Sequence, residues 1–348
     1  MAGGESGAAL RGLPPTIGRM TDFPRPAARM HGGPDALGMP AHDFSTNANA
    51  CGPCPEALAA VQAADAARYP DAGYTALRAR LAAFHGVEPG RVVMAGSASE
   101  CIFRITAWVA RQGGARVWLP DHAYGDYADA AAAWGGARAA QPADADLAWA
   151  CEPSSPIGGT EPAYARWARA AAVKVLDCAY APLRLEGAAP AVPADAWQLW
   201  TPNKALGLTG VRAAYAIAPQ GQGGAADALR ALAPSWPVGA HGVALLQAWT
   251  APAAQDWLAA SRATLRGWKD RQALMLQTHG WGLLPGAANF VCARPPQPLA
   301  ALLPALRARG IKLRDCASFA LPGHVRLGVL APASQHALDE ALRAQVKD

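Results

Sequence analysis

Short apolar runs alternate with segments of helical spacing through the middle of the chain. The runs lie at residues 91–94, 115–119, 147–151, 173–176, 197–200 and 212–217. Runs of this length, separated by segments long enough to form helices, indicate a mostly parallel sheet between helices. The pattern therefore predicts an α/β fold.

A smaller α+β unit is predicted after this alternation ends. Residues 253–277 have the apolar spacing of a helix, which we expect to bridge to that unit. Apolar runs at 288–292 and 324–329 then predict strands around a helix over 299–309.

Polar residues follow the predicted strands at the points where each strand ends. They are the stretch 96–99 (Gly-Ser-Ala-Ser), Tyr124, Ser154 and Ser155, Asp177, and Lys204. In open α/β sheets ligands bind beyond the carboxyl ends of the strands. We therefore expect these groups to converge on one rim of the sheet.

Composition and charge exclude several classes of protein. The net charge is only +5 over 348 residues, the basic residues are scattered, and mean hydropathy is +0.04. Nucleic acid and membranes are therefore not expected partners, whereas small anionic substrates are.

Seven cysteines, an odd number, predict reduced thiols and a cytoplasmic location. Residues 1–29 lack the continuous apolar stretch of a signal peptide, and we predict a loose arm there.

Four residues outline a candidate cofactor site. Lys204 follows an apolar run, and its amine can form a Schiff base with an aldehyde cofactor, while Arg212 can face a phosphate. Upstream, Asp177 can pair with a pyridine nitrogen and Tyr180 with a ring oxygen. Taken alone, Asp177 is better explained as a helix N-cap, and Lys204 can be a surface lysine. Their order along the chain predicts a pyridoxal phosphate site.

A phosphate cradle is predicted where the first strand meets a helix. Ser97, Ala98 and Ser99 open the helical stretch 100–110, where free N–H groups and the helix dipole favour an anion. Thr201 can add a hydroxyl donor. An ordinary serine cap is the alternative explanation for this stretch. We expect Tyr124 to lie on the cofactor ring, although packing on the sheet would also explain it.

Cys51 and Cys54 support a different class of function. Two cysteines around Gly-Pro can form a redox disulfide at the start of a helix, as in a thiol oxidoreductase. Pro55 follows at once and no strong strand precedes the pair, so we disfavour this hypothesis. No second pair of ligands stands at a spacing that suits zinc, and we predict no metal site.

From about His31 onward the chain resembles the fold type I pyridoxal phosphate enzymes. The resemblance is to the branch of histidinol-phosphate aminotransferases and cobalamin-pathway threonine-phosphate decarboxylases. Residues 31–33 (His-Gly-Gly) with 43–47 (Asp-Phe-Ser-Thr-Asn), and residues 314–319 (Arg-Asp-Cys-Ala-Ser-Phe), look like decarboxylase signatures. They favour the decarboxylase over the aminotransferase.

The resemblance implies a role for each candidate residue. Lys204 binds the cofactor aldehyde, Asp177 meets the ring nitrogen, Tyr180 the ring oxygen and Tyr124 the ring face. The residues implied to hold the cofactor phosphate are Ser97, Ala98, Ser99, Thr201 and Arg212. Those implied to bind the substrate are His31, Gly32, Asn47, Arg314 and Arg326. Among them, Arg326 is implied to bind the substrate carboxylate, and Arg314 with His31 the substrate phosphate.

The resemblance also implies a homodimer with shared sites. Tyr69 looks like the tyrosine that reaches the cofactor phosphate of the neighbouring subunit. Four segments follow: the arm over 1–29, a substrate-side segment over 30–55, a large cofactor-binding domain over 56–250 and a small domain over 251–348.

The chain departs from the family pattern at two positions. Ser155 stands where an asparagine usually donates to the ring oxygen, and its shorter side chain is expected to reach that oxygen only through water. Asn203 stands where a serine usually precedes the lysine.

The resemblance implies decarboxylation of L-threonine O-3-phosphate to (R)-1-aminopropan-2-yl phosphate for cobalamin biosynthesis. The alternative is transfer of an amino group to or from a phosphorylated amino acid, as in a histidinol-phosphate aminotransferase. The same residues serve both reactions, so the sequence leaves the two open.

Overall fold

The structure is a computed structural model that describes residues 31–345. The arm predicted over 1–29 lies outside the described residues. The strands are β1 (His42–Asp43), β2 (Val92–Ala95), β3 (Arg116–Trp118), β4 (Ala137–Arg138), β5 (Leu147–Cys151), β6 (Val173–Asp177), β7 (Ala196–Trp200), β8 (Ala214–Ile217), β9 (Gly282–Leu284), β10 (Phe290–Arg294), β11 (Ile311–Lys312), β12 (Arg314–Asp315) and β13 (Val325–Gly328). The helices are α1 (Pro55–Gln62), α2 (Thr75–His85), α3 (Ala98–Arg111), α4 (Gly125–Ala133), α5 (Tyr164–Ala168), α6 (Gly223–Ala231), α7 (Ala240–Trp249), α8 (Pro252–Thr278), α9 (Leu299–Ala308) and α10 (Pro332–Gln345).

Seven strands form the central sheet, in the order β2-β8-β7-β6-β5-β3-β4. All six predicted runs lie in it, and the predicted α/β class with a mostly parallel sheet is confirmed. Strand β8 is the exception, because it runs antiparallel to both of its neighbours. The central strands are buried on both faces, which explains why they appear in the sequence as continuous apolar runs.

Helices cover both faces of this sheet. Along β8, Ala214 packs into the core beneath α3 and α4, whereas Tyr215 packs into the opposite core beneath α1, α2 and α7. The alternation of side chains along a strand therefore divides the large unit into two layers of helices around one sheet.

Helix α3 begins where the sequence offers a cap. The hydroxyl of Ser97 accepts a hydrogen bond from the Glu100 N–H at 3.0 Å, and the Glu100 carboxylate accepts one from the Gly96 N–H at 3.1 Å. Ile102 and Ile105 lie on its buried face. The capped start and the apolar face fix the helix directly after β2, at the carboxyl end of that strand.

A second, antiparallel sheet follows in the order β12-β13-β10-β9. The long helix α8 connects it to the large unit, since Leu258 and Leu265 lie in the core beneath α1, α2 and α7 while Leu276 lies in the carboxyl-terminal core. Strand β1 pairs with β11, and Phe44 joins the carboxyl-terminal core. The substrate-side segment thus packs on the smaller unit, and the domain limits at 30–55, 56–250 and 251–348 stay predictions.

Candidate active site

A cavity of about 450 Å³ opens at the carboxyl ends of β5, β6 and β7, and the β12–β13 pair closes its other side. All predicted site residues except Ser97 and Tyr69 line it. They are His31, Gly32, Asn47, Ala98, Ser99, Tyr124, Ser155, Asp177, Tyr180, Thr201, Lys204, Arg212, Arg314 and Arg326. The structure therefore brings together residues that lie up to 295 positions apart in the sequence.

The turn that carries Lys204 is held by buried polar contacts. The Thr201 hydroxyl donates to Oδ1 of Asn203 at 3.0 Å, and Nδ2 of Asn203 donates at 3.4 Å to the carbonyls of Thr209 and Val211. Asn49 donates its N–H to the Lys204 carbonyl at 2.9 Å. Asn203, the unusual residue before the lysine, thus braces the turn with its longer amide side chain.

Asp177 ends β6 as a buried carboxylate with two fixed donors. Tyr127 donates its hydroxyl to Oδ2 at 2.7 Å, and the Ala179 N–H donates to Oδ1 at 2.9 Å. Burial raises the pKa of Asp177, while these two hydrogen bonds and the Lys204 cation oppose that rise. A carboxylate so held has a fixed orientation beside the cavity.

Tyr180 lies between the lysine and the substrate side. Nδ2 of Asn47 donates to the Tyr180 oxygen at 3.3 Å, and the Lys204 amine lies 5.4 Å from the centre of the Tyr180 ring. Phe290 packs edge-on at 5.0 Å. Because the tyrosine oxygen accepts from Asn47, its own O–H is available to donate into the cavity. The buried Oδ1 of Asn47 has no partner among the described residues.

The end of the cavity near α3 suits a phosphate. The hydroxyls of Ser99 and Tyr124 are 3.2 Å apart, and Arg212 makes no ion pair within residues 31–345. Burial raises the pKa of Tyr124, so it stays a neutral donor. The Ser97 side chain caps α3, as the alternative explanation expected, and its role in binding phosphate stays a prediction.

Two arginines face the cavity from adjacent strands. Arg314 on β12 and Arg326 on β13 are directly opposite in the register, so their side chains share one face of the sheet. Arg326 donates to the Ser155 hydroxyl at 2.8 Å and to the Ser45 carbonyl at 3.3 Å. Arg314 donates to the Ser318 hydroxyl at 2.7 Å, among other contacts. Burial and the charge of Arg326 lower the pKa of Arg314, so an anion between them would relieve an electrostatic strain.

The amino-terminal segment forms the wall beside Tyr124. A side chain on Gly32 would place its Cβ 2.1 Å from the Ser45 carbonyl oxygen, so only glycine fits. This close approach brings His31 to the cavity, where its ring lies 6.3 Å from the Tyr124 ring.

Tyr69 lies away from the cavity of its own chain. It is 78% exposed and stacks on Trp236 at 4.5 Å with an angle of 25°. An exposed, ordered tyrosine is what the predicted reach to a neighbouring subunit requires, and that role stays a prediction.

The alternative chemistry at Cys51 and Cys54 finds little support. Both thiols are free, Cys54 is fully buried, and burial raises the pKa of Cys51. A reactive thiol needs the opposite shift. The described part of the chain holds no group of three or more His, Cys, Asp or Glu side chains arranged for a metal ion. None of its helices has the length and apolar character needed to cross a membrane.

Several residues at the cavity were given no binding or catalytic role by the sequence analysis. They are Ser45, Thr46, Ala48, Asp126, Tyr127, Cys151, Ala179, Asn203, Thr209 and Phe319. Ser45, Thr46 and Phe319 stand in the stretches that resemble the decarboxylases. Tyr127 follows Tyr124 by three residues and so shares its helix face. Ser45 and Phe319 reach the cavity through tertiary packing alone.

Comparison with known proteins agrees with this geometry. The model of the family "Aminotransferase class I and II" matches residues 40–151 and 166–344. A histidinol-phosphate aminotransferase of Symbiobacterium thermophilum is 28% identical over 346 residues, covering 87% of this chain and 91% of that protein.

Two solved structures share the fold. Histidinol-phosphate aminotransferase from Sinorhizobium meliloti, in complex with pyridoxal 5'-phosphate, has a TM-score of 0.77 at 22% identity and covers 95% of this chain and 99% of its own. L-threonine-O-3-phosphate decarboxylase from Porphyromonas gingivalis has a TM-score of 0.69 at 19% identity, and the match covers 84% of this chain and 93% of that protein.

The residues at the cavity fit pyridoxal phosphate. A lysine, a buried carboxylate, the Tyr180 phenol and an arginine beside hydroxyl groups match its aldehyde, ring nitrogen, ring oxygen and phosphate. The predicted cofactor, pyridoxal 5'-phosphate, is confirmed by the family and its cofactor complex, and so is the prediction of an enzyme. The chain belongs to the aminotransferase class I and II family.

Proposed function

We propose that this enzyme decarboxylates L-threonine O-3-phosphate to (R)-1-aminopropan-2-yl phosphate. The observation that carries the proposal is the pair of arginines, Arg314 and Arg326, on one face of the β12–β13 ladder. Their guanidinium carbons lie 4.8 and 5.5 Å from the centre of the same ring, that of Phe319. Two cations so close together suit a compact substrate with two anionic groups, a carboxylate and a phosphate.

The chain's own groups divide the work of the reaction. Pyridoxal phosphate, when bound, supplies a ring that accepts the electron pair released at the substrate α-carbon. Asp177 holds a negative charge for the ring nitrogen, and Tyr180 donates toward the ring oxygen. Arg326 binds the carboxylate and Arg314 the phosphate. The bond between the α-carbon and the carboxylate breaks, carbon dioxide leaves, and Nζ of Lys204 delivers a proton to the α-carbon.

Orientation by the arginines decides which bond breaks. Only the bond that stands perpendicular to the ring overlaps with its π system. If Arg326 and Arg314 hold the carboxylate upright, carbon dioxide leaves. If they held the Cα–H bond upright, Lys204 would remove that proton instead, and the amino group would pass from the substrate to a 2-oxo acid.

Amino-group transfer on a phosphorylated substrate is the second candidate. It is favoured by the names of the relatives, since histidinol-phosphate aminotransferases from several bacteria are 26–29% identical over 82–87% of this chain. The same lysine, aspartate and arginines would serve that reaction.

One assay distinguishes the two candidates. The purified protein with pyridoxal phosphate is given L-threonine O-3-phosphate without any 2-oxo acid, and carbon dioxide and (R)-1-aminopropan-2-yl phosphate are measured by mass spectrometry. We expect both products, and none from the Lys204→Ala variant. Turnover of histidinol phosphate that strictly requires 2-oxoglutarate would instead establish the aminotransferase. No turnover in either assay would contradict both candidates.

A further inference from the structure

Tyr127 is a buried tyrosine that neither the motifs nor the proposed reaction accounts for. Tyr127 is the third residue of α4 and is only 1% exposed, yet part of its side chain lines the cavity. Its ring stacks on Trp149 of β5 at 4.8 Å with an angle of 11°. Its edge meets the Tyr124 ring at 5.9 Å and 86°. Packing on two sides therefore fixes where its hydroxyl lies.

That hydroxyl donates to Oδ2 of Asp177 at 2.7 Å, and the Cys151 thiol also lies beside it. Burial and the Asp177 charge both raise the pKa of Tyr127, so it stays protonated and acts as the donor. A donor to an ionised carboxylate favours the charged form, which burial at this position disfavours. Tyr127 therefore opposes the effect that would otherwise neutralise Asp177.

We propose that Tyr127 is a positioning residue that holds the Asp177 carboxylate ionised and turned toward the nitrogen of the cofactor ring. The inference rests on the cofactor role proposed for Asp177. Ala179 and Tyr127 each occupy one carboxylate oxygen, which leaves the carboxylate no freedom to rotate. The edge contact with Tyr124 also ties this hydrogen bond to the residue expected on the ring face.

The test removes one oxygen atom. Tyr127→Phe keeps the stacking on Trp149 and deletes the hydroxyl that donates to Asp177 and lies beside the Cys151 thiol. We measure the dissociation constants of the apoprotein for pyridoxal phosphate and for its 1-deaza analogue, in which CH replaces the ring nitrogen. We expect the variant to bind pyridoxal phosphate about tenfold more weakly, the change that loss of one charge-assisted hydrogen bond causes. Binding of the 1-deaza analogue should change by less than about twofold, because it lacks the atom that Asp177 serves.

Tyr164→Phe is the matched control. The Tyr164 hydroxyl donates to the Ala191 carbonyl at 3.0 Å, and the residue does not line the cavity. This variant should bind both ligands like the unmodified protein.

Two outcomes would overturn the proposal. If Tyr127→Phe leaves the affinity for pyridoxal phosphate unchanged, Tyr127 does not support Asp177. If the variant weakens the binding of both ligands equally, the role of Tyr127 is structural packing. A folding defect would give this same result. Neither measurement uses a substrate, so the answer is independent of the assay for decarboxylation.

Discussion

The Ser155 hydroxyl connects the cofactor side of the cavity to the substrate side. It accepts a hydrogen bond from Nη1 of Arg326 at 2.8 Å, and both residues are buried. With the serine oxygen used as an acceptor, its hydrogen remains free to donate, so a contact with the cofactor ring oxygen is still open to it. The residue expected to serve only the ring thus also holds the arginine expected to bind the substrate carboxylate.

Replacing this serine tests that link. In Ser155→Ala the buried guanidinium loses an acceptor, so we expect KM for the phosphorylated substrate to rise about tenfold, with a smaller effect on kcat. Ser155→Asn keeps an acceptor there and should stay closer to the unmodified protein. Steady-state kinetics of the three proteins provide the measurement.

Ser261→Ala is a suitable control for this prediction. The Ser261 hydroxyl donates to the Trp257 carbonyl within α8, away from the cavity. An unchanged KM in Ser155→Ala would mean that the hydrogen bond to Arg326 does not prepare that arginine for its ligand.

The residues that the sequence revealed were those whose chemistry is rare in a core. Asp177 and Lys204 were found because each charged group follows an apolar run, and Arg212 because it comes eight residues after that lysine. Tyr127 was not, because an aromatic residue on a helix is most often part of the core, and Tyr127 does pack there. Its second role depends on Asp177, fifty residues away, and no local pattern records that contact.

Among the elements, long periodic segments were predicted well and short ones were missed. Helix α8 was expected over 253–277 and extends over Pro252–Thr278. Strands β1, β11 and β12 each have two residues, too few to show alternation. They form only because the segments around them pack on the carboxyl-terminal core. The β12 strand nevertheless places Arg314 at the cavity, so a decisive part of the site rests on a strand that the sequence could not reveal.

Helix α2 is joined to the central sheet by a titratable contact. His85, its last residue, lies 2.8 Å from the Tyr215 hydroxyl of β8, which also accepts from the Trp249 indole at 3.1 Å. Burial lowers the pKa of His85 from 6.5 to about 4. The neutral imidazole can accept the tyrosine hydrogen, whereas the protonated form would leave that hydrogen without a partner.

Stability should therefore fall as the pH drops from 6.5 toward 4. In that range His85 is protonated in the unfolded chain but neutral in the folded protein. The difference in bound protons favours unfolding. At about 1.4 kcal/mol per pKa unit, the lowered pKa of His85 reduces the free energy of unfolding by roughly 3 kcal/mol at pH 4. Urea unfolding of the apoprotein between pH 4 and 7 measures it.

His85→Gln should remove this part of the pH dependence, while His336→Gln, at an exposed position on α10, should leave it intact. If the stability difference between His85→Gln and the unmodified protein stays constant across this pH range, His85 does not control it.

At the scale of the whole molecule, the surroundings of Tyr69 bear on the predicted homodimer. Trp236 adopts a left-handed backbone conformation with φ of 50°, which costs a non-glycine residue about 1 kcal/mol or more. Its indole donates to the Pro70 carbonyl at 3.1 Å, and its ring stacks on the exposed ring of Tyr69. A strained residue that pins an exposed tyrosine supports the predicted homodimer, in which Tyr69 reaches the cofactor phosphate of the other subunit.

Mixed dimers test this prediction directly. If Tyr69 serves the partner's site, a dimer of one Tyr69→Ala chain and one Lys204→Ala chain has one site with both native residues and one with neither. Each variant alone should be nearly inactive. When the two are co-expressed, random pairing makes about half of the dimers mixed, and half of the sites in those are intact. We therefore expect about a quarter of the unmodified activity, in whichever reaction the enzyme catalyses.

Lys204→Ala paired with Asp177→Ala is the matched control for the mixed dimers. Both of these residues line the cavity of a single chain, so every site in their mixed dimer lacks one of them and no activity should return. Recovery in the Tyr69 mixture but not in the Asp177 mixture can arise only if the tyrosine crosses between subunits. If the Tyr69 mixture shows no more activity than the two variants separately, Tyr69 does not act across the interface, and its stacking on Trp236 serves only the surface of its own chain.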